Sequence, residues 1–166
     1  MIIDIKGSTK YNRKLIEEAI NFYEGILFKR IFPSLVISVI LINKLTAKED
    51  TIGDCIWEDS RTRPREFTIR LDSAVCISNM LETLAHEMVH VHQFSTGKMR
   101  DSRTDFDMIR WEGEILNTAK LNYYDYPWEI EAHGRERGLF VRLAKQLSLL
   151  SNQMTALLTE TRSPVT

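Results

Sequence analysis

Two cysteines, four prolines and seven glycines among 166 residues exclude a disulfide-stapled mini-domain, a Pro-rich linker and a collagen-like repeat. Cys55 and Cys76 form no Cys-x-x-Cys pair and stand apart from the histidines in sequence, so the expectation is two buried free thiols in a reducing compartment. An excess of either charge is missing as well. Lys and Arg number 22 against 23 Asp and Glu, which gives no overall pull towards nucleic acid or an anionic membrane. No apolar run is long enough to span a bilayer. The stretch Met1-Ile2-Ile3-Asp4-Ile5-Lys6 lacks the basic and long apolar regions of a signal peptide, so a soluble, cytoplasmic protein with no membrane partner is expected. Repeats, low-complexity tracts and interdomain linkers are also missing.

What is present fits one ordinary domain. With 43% apolar and 27% charged residues, the chain can close a single core over residues 1–150, leaving 151–166 as a polar, flexible tail. Ser8-Thr9 can cap a scaffold helix whose apolar residues, Leu15 to Leu27, recur at three and four before Pro33. Leu35 to Ile42 is almost continuously apolar and β-branched, which predicts a strand buried on both faces. Lys44 to Asp50 reads as a polar connection. Ile52 to Glu58 and Phe67 to Leu71 alternate as strands, with a polar loop from Asp59 to Arg65 between them. Lys98 to Asp107 reads as a solvated loop. A hairpin is expected at Met108 to Leu116, with Ile109, Trp111 and Ile115 on one side and Gly113 at its turn. Pro127 opens a last helix expected to end near Leu150.

The chemistry concentrates in Leu84-Ala85-His86-Glu87-Met88-Val89-His90-Val91-His92-Gln93. On a helix from about Ser78 to Gly97, Ile77, Leu81, Leu84, Met88 and Val91 form an apolar stripe, and His86, His90 and Gln93 cluster nearly opposite. His86 and His90 lie one turn apart on one face, so two imidazole nitrogens can meet on one ion. Glu87 points beside them, where it can take a proton from a water activated by that ion. His92, near the edge of the apolar stripe, is expected to be a partly buried structural histidine.

A catalytic zinc takes three protein ligands and an open position. The last helix offers Glu129, Glu131, His133 and Glu136. At 100° per residue, Ala132, Leu139, Phe140, Leu143, Ala144 and Leu147 fall within about 80° of Glu129, so Glu129 points inward. Glu131 falls about 200° away beside Arg135, Arg142 and Lys145, which makes it the poorer ligand. His133 and Glu136 share the inward face. His133 is expected to orient Glu129 or a ligating imidazole, and it is the main rival for third ligand. The bland alternative is that Glu129 only complements the helix dipole or closes a capping box. One of Tyr123, Tyr124 and Tyr126 could donate to a developing oxyanion, although loop aromatics more often pack.

His86-Glu87-Met88-Val89-His90 resembles the zincin metallopeptidase signature. Pro127-Trp128-Glu129-Ile130-Glu131-Ala132-His133 is similar to the Glu-x-x-Ala third-ligand helix of gluzincins, including ImmA/IrrE-type peptidases. Leu84 to Gln93 also resembles SprT-like small metalloproteases, whose third ligand is a histidine. The resemblance spans residues 35 to 147 in outline, and its specific motifs cover under twenty positions. It implies an α+β zincin-like fold, with a small, mainly antiparallel sheet packed on the scaffold helix, the His-bearing helix and the C-terminal ligand helix. It also implies zinc held by His86, His90 and Glu129, with Glu87 as general base. Two departures stand out: His133 replaces the Asp that gluzincins often carry four residues after the ligand Glu, and the metzincin His-x-x-Gly-x-x-His extension is absent.

The expected function is peptide-bond hydrolysis on a protein or peptide substrate. That substrate would pair with an exposed strand edge, for which Phe67 to Leu71 is the candidate. A zinc-binding regulatory or structural module without turnover is one alternative, and an intact Glu87 argues against it. The other is a SprT-like protease acting on DNA-bound proteins, for which Arg61, Arg63, Arg65 and Arg70 are the only support. The same donors also suit iron or manganese, although this set most often holds zinc.

Overall fold

The computed structural model describes residues 1–7, 9–29, 34–59, 62–101 and 107–160, with only the backbone for Tyr11 and 149–160. Thr9 caps α1 (Lys10–Leu27), its hydroxyl accepting from the amide of Asn12 at 3.3 Å. Ser8, the other expected cap, lies outside the described residues, as does Pro33. The buried face of α1 carries Ile16, Ala19, Ile20, Tyr23 and Leu27 at helical spacing. That face packs mainly against the later helix Ile77–Thr96, where the Tyr23 hydroxyl donates to the carbonyl of Leu81 at 3.0 Å, and shares one core with a four-stranded sheet ordered β1 (Ile2–Lys6), β2 (Val36–Ile42), β4 (Glu66–Asp72), β3 (Gly53–Trp57).

The class is α+β with small mixed sheets, but the main sheet is not mainly antiparallel as expected. β1 pairs with β2 and β2 with β4 in parallel, and only β3 runs antiparallel, against β4. The reason is β1, which sequence reading missed because its five residues include two charges and bury only Ile5 fully. Once Ile2–Lys6 is a strand, α1 is the crossover that parallel neighbours require. In β2, Ile37, Val39 and Leu41 are buried and the alternate residues are half-buried, so one face alone is fully covered. β4 sits between β2 and β3 and is not an edge. The edge beside the His-bearing helix is β3.

Lys44 to Asp50 is not a plain connection. It contains the single-turn helix α2 (Leu45–Glu49), with Leu45 buried and left-handed backbone at Lys44 and Asp50. Asp72, at the end of β4, ties this turn to the next helix: its carboxylate accepts from the amide and hydroxyl of Thr46 at 2.8 and 2.7 Å and from the amide of Ala74 at 2.8 Å. α3 (Ile77–Thr96) follows and ends at Gly97 in the left-handed conformation, as expected. Leu81, Leu84, Met88 and Val91 are buried, while Ile77, at the open end of the stripe, is 41% exposed. Both cysteines are free, but Cys55 on β3 is half-buried and Cys76, at the N-cap of α3, is exposed, so neither is the fully buried thiol expected.

Met99–Asp101 is a strand, β5, where a loop was expected, because Met99 is buried. Residues 102–106 lie outside the described residues. It pairs with the hairpin of β6 (Met108–Trp111) and β7 (Glu114–Asn117), turned by Glu112 and Gly113 with positive φ at both, the arrangement that two-residue hairpin loops favour. Ile109 pairs with Leu116, so Ile115 points to the other side with Arg110 and is 62% exposed, against the expected grouping with Ile109. Two short 3-10 turns at Thr118–Lys120 and Tyr123–Asp125 lead to α4 (Pro127–Glu160), which continues past Leu150, and residues 161–166 lie outside the described residues. Trp128, Ala132, Leu139 and Leu143 of α4 are buried, and the missing bulk at Ala132 lets α3 and α4 lie close together. No helix of the described residues is long and apolar enough to cross a membrane.

Candidate metal centre

Where α3 meets the first turn of α4, three ligand atoms converge. Nε2 of His86 and Nε2 of His90 are 3.1 Å apart. Oε2 of Glu129 lies 3.4 Å from the first and Oε1 lies 3.5 Å from the second. A tetrahedral ion with bonds of 2.0–2.1 Å would set its ligands about 3.3–3.4 Å apart, so the two imidazoles and the carboxylate, which turns a different oxygen to each ring, stand close to ligand spacing. The three side chains keep only 12%, 11% and 12% of their surface exposed.

The hydrogen bonds on the far side of each ring decide where its proton sits. Nδ1 of His86 is 2.7 Å from Oε2 of Glu136, and a carboxylate only accepts, so Nδ1–H donates. Nδ1 of His90 is 2.9 Å from Oε1 of Gln93. The Gln93 amide cannot be turned round, because its Nε2 donates to the carbonyl of Trp128 at 3.0 Å and to Glu131 at 2.9 Å. His90 therefore also carries its proton on Nδ1. In the neutral rings both Nε2 lone pairs face each other and a carboxylate, an arrangement that repels itself unless a positive charge lies between. These residues can hold a metal ion.

Without a cation, a proton must serve. Burial works against charging His86, but the hydrogen bond to Glu129, the charge of Glu87 and the hydrogen bond to Glu136 outweigh it and raise the imidazole to about 9. Burial likewise opposes charge on Glu129, and hydrogen bonds from His86 and His90 override it to hold the carboxyl well below its usual range.

Glu87 is 4% exposed and lines a cleft of about 380 Å³ together with His86, Tyr123, His133 and Glu136. Burial pushes its carboxyl up to about 7, against the lowering effect of His90 and His86. Such a group can both take and return a proton near neutrality. Gly53 of β3 forms part of the wall. A Cβ there would meet Cγ2 of Thr83 at 2.6 Å and Cδ2 of Leu71 at 2.9 Å, so glycine is what allows the β3 edge to lie against α3 beside the cleft.

Of the acids on α4, Glu129 reaches both imidazoles. Glu131 does not, yet it is not on the open solvent face either: it accepts from Gln93 and, at 2.8 Å, from Nζ of Lys98, and it is 20% exposed. His133 is 51% exposed and turned less inward than expected. Its ring rests against that of His86, with centroids 4.6 Å apart, and the task of holding the ligand imidazole falls to Glu136. Among the tyrosines, Tyr123 reaches the site, its hydroxyl donating to Oε2 of Glu129 at 2.9 Å. Tyr126 bonds the carbonyl of Thr118 instead, and Tyr124 is 79% exposed. His92 packs edge-on against Phe28 with burial lowering its pKa, a partly buried histidine away from the cluster, as expected. Gln93 was missed as the residue that orients His90, although its placement on the histidine face was the signal that could have found it. Compared with known proteins, the chain matches no family model, no curated protein and no solved structure.

Proposed function

We propose that this chain is a zinc-dependent peptidase of the zincin type, cleaving peptide bonds with water. The observation that carries the reading is the pairing of two elements: a His86, His90, Glu129 cluster with both Nε2 lone pairs directed inward, and a buried Glu87 facing the same cleft. A purely structural site would need no carboxylate in that second place. Two imidazoles and one carboxylate suit zinc better than magnesium or calcium.

When bound, the ion would supply Lewis acidity and a water of lowered pKa. Glu87 accepts the proton of the attacking water and delivers it to the leaving amine, for which a carboxyl raised by burial is suited. Glu136 and Gln93 fix the two rings so that neither can turn its N–H inward. Tyr123, whose hydroxyl lies at the cleft wall, is placed to donate to a developing oxyanion if it releases Glu129. An extended peptide would add to the free side of β3, the edge that Gly53 seats beside the cleft, in place of the Phe67 to Leu71 strand expected from sequence. Of the arginines that might have favoured DNA-bound substrates, Arg70 is engaged by Asp54 and Glu49 and Arg65 by the carbonyl of Ser95, and Arg61 lies outside the described residues.

Metal analysis and proteolysis of an unfolded protein test this together. The expected result is one zinc per chain and cleavage that falls by about 10²-fold or more in Glu87→Gln with zinc content unchanged. Zinc retained with no cleavage of any unfolded protein would instead identify a silent metal-binding module.

A further inference from the structure

The cleft holds a second pair of ligand-type side chains that the proposed reaction does not use. His133 and Glu136 stand three apart on α4, one and two turns beyond Glu129, and both line the cleft. Glu136 divides its oxygens between two histidines. Oε2 takes the Nδ1–H of His86 at 2.7 Å, a charge-assisted hydrogen bond. Oε1 lies 3.3 Å from Nδ1 of His133, beyond the usual range for such a bond. That longer separation again equals the edge of a tetrahedron with bonds of 2.0–2.1 Å, about 3.3–3.4 Å. Acids crowd the same space. Asp50, Glu82 and Glu136 line the cleft and, among the described residues, no lysine or arginine does, while Arg137, next along α4, donates to Glu82 at 2.9 Å.

The geometry points to a second, weaker transition-metal site at the mouth of the cleft, held by Nδ1 of His133 and Oε1 of Glu136. His86 is a neighbour of this site and not a ligand, since its Nδ1 carries the proton that Glu136 accepts. The mixed imidazole and carboxylate pair selects zinc, copper or nickel over magnesium or calcium. Its consequence rests on the peptidase reading. A cation on Oε1 draws charge from the carboxylate that supports His86, and it occupies the path to Glu87, so excess metal slows hydrolysis.

Protein carrying one zinc per chain is titrated with zinc chloride in a calorimeter. A second equivalent is expected, weaker than the first by about 10²–10³-fold because one fewer side chain binds it. His133→Ala, at a half-exposed position that the fold does not depend on, should lose the second equivalent and keep the first. In a peptidase assay, zinc raised through the second midpoint should slow the wild type and leave the rate of His133→Ala unmoved. A titration with no second equivalent up to millimolar zinc, or one whose second equivalent survives in His133→Ala, overturns the site. A wild type that takes up only a weak equivalent, lost in His133→Ala, upholds it and overturns the His86, His90, Glu129 reading instead.

Discussion

Replacing Glu129 by alanine and, separately, Glu131 by alanine separates two acids that sit two residues apart on α4. Glu129 lies 3.4 and 3.5 Å from the two Nε2 atoms, whereas Glu131 meets Gln93, Lys98 and Arg135 instead. Zinc held by four side chains binds with an apparent 10–16 kcal/mol, so each ligand contributes roughly 2.5–4 kcal/mol, or about 10²–10³ in affinity. Glu129→Ala should weaken zinc by that factor and leave the protein metal-free after dialysis against a moderate chelator. Glu131→Ala removes one acceptor from the Gln93 amide but leaves the Trp128 carbonyl, so His90 keeps its partner. Its loss should stay at or under about 10-fold, the lower end of what outer contacts to ligands cost. Competition with a chromophoric chelator measures both, and circular dichroism of the metal-free variants checks that each folds. Glu129→Ala with wild-type affinity, or a larger loss in Glu131→Ala, would falsify the ligand assignment.

Gln93→Leu keeps the volume but leaves Nδ1–H of His90 without its acceptor, and zinc affinity should fall by about 10–100-fold. An unchanged chelator titration would mean that Gln93 only fills space. Asp72 has its carboxyl held down to about 2 by the Thr46 hydroxyl and the amides of Ala74 and Thr46. An acid depressed on folding stabilises above its unfolded pKa of about 3.9 and loses that contribution as pH falls towards 2. The acid limb of denaturant stability should therefore flatten in Asp72→Asn, and an identical limb in both proteins would remove this role. Zinc at about 1,000 times its Kd should stabilise the fold by about 4 kcal/mol, or roughly 8–16 °C in Tm for a domain of this size. An unmoved melting curve would show that the cluster does not bind zinc.

The helices were legible because their signals are local. Thr9, Gly97 and Pro127 mark ends, and the apolar periodicity of α1 and α3 marks the faces that prove buried. The sheet was less so, since pairing direction is a property of the whole chain. Ile2–Lys6 looks too short and too charged to be a strand, and without it nothing requires α1 to be a crossover or β4 to be central. α2 was invisible for another reason. Its ends use left-handed backbone at Asp50, which tolerates it, and at Lys44, which has no preference for it, and the contacts that hold it come from Asp72, distant in sequence.

For the site, helical phase chose Glu129 over Glu131 and put both imidazoles on one face, and those placements need only the angle per residue. What phase could not give is the location of the protons. His-Glu-x-x-His on a helix supplies two rings that can each turn either nitrogen inward, and a ring with N–H inward repels a cation. Glu136 and Gln93 remove that freedom, the first from a distant helix and the second from the next turn with its own amide locked by Trp128 and Glu131. The motif can hold a cation only through these neighbours, which makes the Gln93 amide, tied to the backbone next to Glu129, the contact that joins the tautomer of His90 to the helix that carries the carboxylate.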